Sequence, residues 1–176
     1  MPVPSHWPPN VHYISAPCYH SSVSQSTRVF LTQGAKSAPA GKKSSTNYAA
    51  VIRPISTSTH PACGQFGLFA ARKIPAKTHI IDYIGEIHCD EREDSNYDLS
   101  LFRDGELSVG IDASAKGNEA RFVNDYRGIQ DKPNAVFLDG RTSSGELRMN
   151  VWSSRSIKKG EEILVSYGKA WWKARR

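Results

Sequence analysis

Apolar and polar positions alternate with a period of two through much of the second half of this chain. Leu107, Val109 and Ile111 interleave with Ser108 and Gly110; Leu147, Met149 and Val151 interleave with Arg148, Asn150 and Trp152; Tyr97, Leu99 and Leu101 interleave with Asp98 and Ser100. A period of two sends successive side chains to opposite faces, so each stretch predicts a half-buried β-strand. Two apolar runs, Tyr48 to Ile52 and Ile80 to Ile87, predict two more strands, the second of them buried. Turn signals of the types Asp-Gly, Ser-Gly and Lys-Lys-Gly separate the runs. Helical spacing is scarce, with short pieces expected from Asp90 to Ser95 and from Gly117 to Val123. No internal repeat or heptad is present. Many short strands without strand–helix–strand alternation predict a mostly β fold and exclude a doubly wound nucleotide-binding sheet.

Before this pattern starts, residues 1–46 are rich in Pro, Ser, Gly and small side chains. Such a segment buries too little apolar area to offset its ordering entropy, which predicts a disordered tail over 1–46. A globular domain is expected over 47–172, with a short basic tail over 173–176. A Ser-rich, acid-free start also fits a mitochondrial leader. However, Arg28 is the only charged residue before Lys36, and Pro2, Pro4, Pro8, Pro9 and Pro17 interrupt any amphipathic helix. A plain tail is the better reading.

Charge and cysteines narrow the picture further. Residues 1–81 carry eight Lys and Arg and no acidic residue, whereas the remaining 15 basic residues face all 17 acidic ones. The net charge of +6 therefore belongs to the first part of the chain, and the domain is not expected to grip nucleic acid directly. Nucleic-acid binding by the basic first part would rest on charge alone. Cys18, Cys63 and Cys89 are widely spaced and, with six scattered histidines, give no zinc-ligand pattern. No metal is expected, and the unpaired cysteines point to a reducing, intracellular compartment, nuclear or cytoplasmic, the interrupted leader pattern arguing against a mitochondrial one. No apolar run approaches the ~20 residues of a membrane helix, so no membrane partner is expected.

Four strings stand in a telling order: Gly64-Gln65-Phe66-Gly67-Leu68-Phe69-Ala70, then Asp82-Tyr83-Ile84-Gly85-Glu86, then GNEARFVNDYRGIQDKPN from Gly117 to Asn134, then GEEILVSYGKAWW from Gly160 to Trp172. Together they resemble the SET domain of S-adenosylmethionine-dependent protein-lysine methyltransferases, over roughly Tyr48 to Trp172. The resemblance implies several small curved sheets around a C-terminal pseudoknot, few short helices, S-adenosylmethionine as cofactor and a protein or peptide substrate, a histone tail being the family's commonest.

Methyl transfer from a sulfonium to a lysine is an in-line displacement, so the acceptor amine must be neutral. At pH 7, deprotonating an amine of pKa about 10.4 costs about 4–5 kcal/mol. A dry aromatic channel beside the cationic sulfonium lowers that cost. The resemblance implies Tyr167 as the catalytic residue and a lysine channel lined by Tyr83, Val165 and Trp171. Backbone around Gly64, Phe66 and Gly67, with Tyr97, Arg121, Phe122, Asn124 and Asp125, would hold the cofactor, Asn124 facing its ammonium. Trp172, with Trp171, would close a pocket that has no cysteine-rich flank to close it. Val165, where relatives commonly carry Phe or Tyr, implies room for more than one methyl.

Two departures matter. The family's asparagine is usually followed by His-Ser-Cys and then Pro-Asn. Here Asn124 is followed by Asp125-Tyr126-Arg127, and Pro133-Asn134 arrives four residues late. An ionised Asp125 accepts hydrogen bonds but cannot donate them, so the contact made by the family's histidine must change. The competing reading is a catalytically inactive SET-like interaction module.

Overall fold

The computed structural model describes residues 2–34 and 50–168. Its elements in chain order are strands β1 (His12–Tyr13) and β2 (Cys18–Tyr19), helix α1 (Gln25–Thr32), and strands β3 (Ala50–Pro54), β4 (Phe66–Ala70), β5 (His79–Tyr83) and β6 (Glu86–His88). They continue with β7 (Asp98–Asp104), β8 (Leu107–Asp112), β9 (Lys116–Gly117), a 3-10 turn (Glu119–Phe122), β10 (Asn124–Asp125), β11 (Ala135–Arg141), β12 (Leu147–Ser153) and β13 (Leu164–Val165). The strands form five small sheets, ordered β2-β6-β8-β7, β11-β12-β5, β3-β4, β1-β9 and β10-β13. Leu68, Ile74, Ile87, Val109, Ile111, Val151, Ile157, Ile163 and Val165 make the dry centre onto which these sheets fold.

The buried run expected as one strand from Ile80 to Ile87 is two, β5 and β6, which enter different sheets. At the break the Asn118 side chain accepts from Ile84 N (3.1 Å) and donates to the Asp82 carbonyl (2.8 Å). Gly85 follows because a Cβ there would lie 2.4 Å from the Asp112 carbonyl oxygen. A long-range amide thus decides a bend that local hydrophobicity hides. The helix expected over Asp90 to Ser95 is absent; this loop is tied down instead by Arg92 to Glu86 (2.9 Å) and Asp112 (3.1 Å), and by Ser95 to Asp112 (2.8 Å). The helical piece expected near Gly117 to Val123 appears as the 3-10 turn.

Residues 2–34 depart from the expected structureless tail. β1 lies parallel to β9 and β2 parallel to β6, so this segment completes sheets begun elsewhere. Trp7 packs edge-on against both Tyr13 (5.1 Å) and Phe122 (5.7 Å). Helix α1 starts at Ser24, whose hydroxyl accepts from Thr27 N (3.1 Å), and it buries Leu31 completely. Its C-terminus is capped from afar by Arg141, which donates to Phe30 O (3.1 Å) and Gly145 O (2.7 Å). The segment shows no strand periodicity of its own because the strands that β1 and β2 pair with are distant in sequence. Residues 35–46 lie outside the described residues.

The C-terminal segment makes the crossing that orders the site. Residues 160–163 run beside β4, with Ala70 N bonded to Glu161 O (2.9 Å) and Ile163 N to Leu68 O (2.8 Å). On the other side β13 lies parallel to β10, pairing Asn124 with Leu164 and Asp125 with Val165. Both ends of the connection between β10 and β11 then close over it, through Tyr126 N to Val165 O (3.0 Å) and Asn134 N to Leu164 O (3.1 Å). This is the pseudoknot that the resemblance implied.

Candidate active site

A cavity of about 570 Å³ opens beside this crossing. It brings together Gly64, Phe66, Tyr83, Tyr97, Arg121, Phe122, Asn124, Asp125 and Tyr167, residues from five separate segments. Its volume sits within the ~300–1,000 Å³ of small-molecule sites. Two expected residues are elsewhere. Gly67 is buried beneath Glu162, where a Cβ would meet the carboxylate oxygen at 2.5 Å, so glycine there lets Glu162 approach the main chain. Val165 is completely buried and does not line the cavity; pairing with Asp125 turns its side chain into the core. Trp171 and Trp172 lie outside the described residues.

Several lining groups escaped the sequence reading: Pro8, His60, Asn96, Arg127 and Phe137. Phe137 packs edge-on against Tyr83 (5.9 Å) and gives the cavity an aromatic wall. Only the apolar positions of β11 could have signalled it. Pro8 belongs to the segment read as tail, and His60 to a Pro-bearing loop with no periodic pattern.

The two tyrosines are fixed by donation to main-chain carbonyls: Tyr167 Oη–H to Val123 O (2.7 Å) and Tyr83 Oη–H to Tyr97 O (2.7 Å). With both protons committed, each phenol oxygen presents lone pairs. Burial, and then the Asp125 carboxylate, push the Tyr167 hydroxyl well above its ordinary range. Burial, and then Tyr167 itself, do the same to Tyr83, so the two rings sense one another. Both shifts favour the neutral phenol over the phenolate. The Arg121 guanidinium lies 4.0 Å over the Tyr97 ring, and its Nε donates to Ala113 O (2.9 Å).

The neutral phenols carry a stability consequence. A raised folded-state value means that the unfolded chain releases these protons first, so stability is fully present below the ordinary phenol value of 10.0 and falls above it. Urea midpoints measured from about pH 8 to 11.5 should show a shallower alkaline decline in Tyr83→Phe than in the parent.

Asp125 takes over where the family's histidine is missing. Its carboxylate accepts from Tyr167 N (2.8 Å), Arg127 N (2.9 Å) and Arg127 Nη1 (2.7 Å), tying the Asn124 segment to the tyrosine by main-chain donors. The late Asn134 is also in place, with no exposure, accepting from Leu164 N (2.8 Å) and donating to Glu162 O (2.7 Å). The four extra residues are accommodated in the loop between them.

A knotted, mostly β domain whose cavity holds two anchored neutral phenols and an asparagine is the class that the fold and site define. The family model for the SET domain matches residues 65–168, and the chain belongs to that family. It is 32% identical over 117 residues to the histone-lysine N-methyltransferase ASHH3 of Arabidopsis thaliana, covering 60% of this chain and 30% of that protein. It is 32% identical over 115 residues to the histone-lysine N-methyltransferase EHMT1 of Mus musculus, covering 61% of this chain and 8% of that one. The chain thus spans less than a third of these relatives' lengths.

Among solved structures, an autoinhibited Chaetomium thermophilum polycomb repressive complex 2 bound to S-adenosylmethionine superposes with a TM-score of 0.55. It is 27% identical and covers 70% of this chain and 15% of that one. The fold extends over 91% of this chain and 82% of ATXR5, solved in complex with a histone H3.1 carrying a methylated arginine, at a TM-score of 0.62 and 18% identity.

Proposed function

We propose that this chain is an S-adenosylmethionine-dependent protein-lysine N-methyltransferase. The observation that carries the reading is the pair of carbonyl-anchored phenols, Tyr167 and Tyr83, meeting in one cavity with Asn124. The donor set fits the cofactor. Asn124 offers an amide to an ammonium group that has donors only, Arg121 and Arg127 offer guanidinium groups to a carboxylate, and Phe66 and Phe122 offer ring faces. Bound there, the cofactor supplies an electrophilic methyl group and a neighbouring positive charge.

The protein's part is positioning. The lone pairs of Tyr167 and Tyr83 accept the N–H groups of a neutral lysine amine and aim its own lone pair in line with the methyl. Tyr97 and Phe137 exclude water from the approach, which disfavours the protonated amine. Asp125 and Val123 hold Tyr167 at its backbone and its hydroxyl, so the ring has little freedom to lose when substrate arrives. A histone-tail peptide is the first substrate to test, and with it a nuclear site of action, because the relatives are named for histone lysines. The exposed Glu91, Glu93 and Asp94 offer a basic peptide an acidic approach.

Thermal unfolding with added S-adenosylmethionine tests the cofactor half. At 100 times its Kd the ligand adds about 2.7 kcal/mol, an upward shift of several degrees. No shift, with no labelled methyl transferred to any histone peptide, would leave an inactive interaction module.

A further inference from the structure

Beside the cavity, Glu162 is buried and both of its carboxylate oxygens are occupied. Oε1 accepts from Asn124 Nδ2 at 2.8 Å, and Oε2 is 2.9 Å from His60 Nε2. The His60 ring has a defined tautomer, because its Nδ1 accepts the main-chain N–H of Ala62 at 3.0 Å. The ring proton therefore sits on Nε2 and is donated to Glu162. The orientation of Asn124 follows in turn. Its two hydrogen-bond partners, Glu162 Oε1 and the Phe66 carbonyl at 3.3 Å, only accept, so the amide nitrogen faces them and the carbonyl oxygen Oδ1 faces the other way. Asn124 lines the cavity.

From this relay we infer that His60 and Glu162 are positioning residues for recognition of the cofactor's ammonium. They hold the Asn124 amide so that its oxygen, not its nitrogen, is presented to the cavity. The inference rests on the cofactor reading proposed above and deepens it. An ammonium carries donors only, so an amide turned by 180° would oppose N–H to N–H. Nothing in Asn124 itself selects between the two orientations, which have the same shape. The selection comes from a carboxylate that cannot donate, and that carboxylate is held in turn by a histidine about 60 residues upstream of Asn124. Gly67 completes the arrangement, since a Cβ there would collide with Oε1 of Glu162. Asp125, standing where the family's histidine is expected, is committed to Tyr167 and Arg127, and His60 supplies an imidazole to this corner from a different part of the chain.

The test uses the full chain and two probes that differ in the group recognised: S-adenosylmethionine, and 5′-deoxy-5′-methylthioadenosine, which keeps the adenosine and sulfur but has no amino-acid part. Calorimetry on His60→Leu should show S-adenosylmethionine binding weakened about tenfold or more, with methylthioadenosine unchanged within about twofold. His60→Gln, whose amide can donate to Glu162, should recover most of the loss. Should His60→Leu fail to fold by its melting curve, Glu162→Gln takes its place. A glutamine there puts a donating NH2 in place of one of the two oxygens, so it opposes a donor to either His60 Nε2–H or Asn124 Nδ2, and the same probe-selective loss is expected. Equal loss of both probes, or unchanged affinity for S-adenosylmethionine, overturns the relay while leaving the cofactor reading standing. A parent chain that binds neither probe overturns the cofactor reading itself, and the relay with it.

Discussion

Tyr167→Phe should lower the rate of methyl transfer by about 10²–10³-fold while leaving the affinity for S-adenosylmethionine within about tenfold. Only one oxygen is removed, and it is the oxygen whose lone pairs are aimed by donation to Val123 O (2.7 Å). The ring, its backbone bond to Asp125 (2.8 Å) and the aromatic lining remain. Losing the bond to Val123 costs about 1 kcal/mol of stability, too little to unfold the domain. Intact-mass measurement of single turnovers on a good peptide substrate separates this loss from binding. Parent-like turnover in the mutant would remove Tyr167 from catalysis. Because burial and Asp125 keep the hydroxyl protonated, the rate of the parent should climb with pH along the lysine amine's own titration, with no inflection from Tyr167 below 10.0.

The largest effect on stability is expected at Asn134, which does not line the cavity. Asn134→Ala removes an acceptor for Leu164 N (2.8 Å) and a donor to Glu162 O (2.7 Å) at a site with no exposure. Both main-chain groups are then stranded inside the crossing, where water cannot replace the side chain. Two stranded groups at ~1–3 kcal/mol each, with the lost packing, predict about 3–5 kcal/mol, or roughly 6–20 °C in Tm for a chain of this length. Asn150→Ala is the control. Its amide makes two 3.2 Å bonds to Leu138 O and Arg148 O on the central strand of the β11-β12-β5 sheet, and its loss should cost about 1 kcal/mol. Comparable melting losses for the two variants would show that Asn134 does not clamp the crossing. Since β13 carries the chain directly to Tyr167, partial loosening at Asn134 should also lower methyl transfer before the protein unfolds.

Much of this protein was legible in its sequence. Period-two alternation found β7, β8 and β12 from local geometry alone, although only β7 keeps exposed positions and β12, expected to be half-buried, is buried on both faces at the centre of its sheet. The four motif strings gave the family, and nine of the expected site residues line one cavity. The sequence did not reveal groups whose role depends on distant partners. Residues 2–34 look structureless in composition because β1, β2 and α1 complete themselves on β9, β6 and Arg141. The run from Ile80 to Ile87 reads as one strand until Asn118 bends it. Val165 was expected to line the lysine channel, yet it pairs with Asp125 and lies buried in the core. Asp125 looked like a defect until Tyr167 and Arg127 closed on it, and His60 carried no signal before the fold set it against Glu162. Hydrophobic periodicity is a property of neighbours along the chain and fixes strands and core. Hydrogen-bond complementarity at the site joins residues 40 to 100 positions apart, and only the threaded tertiary structure brings them within 3 Å.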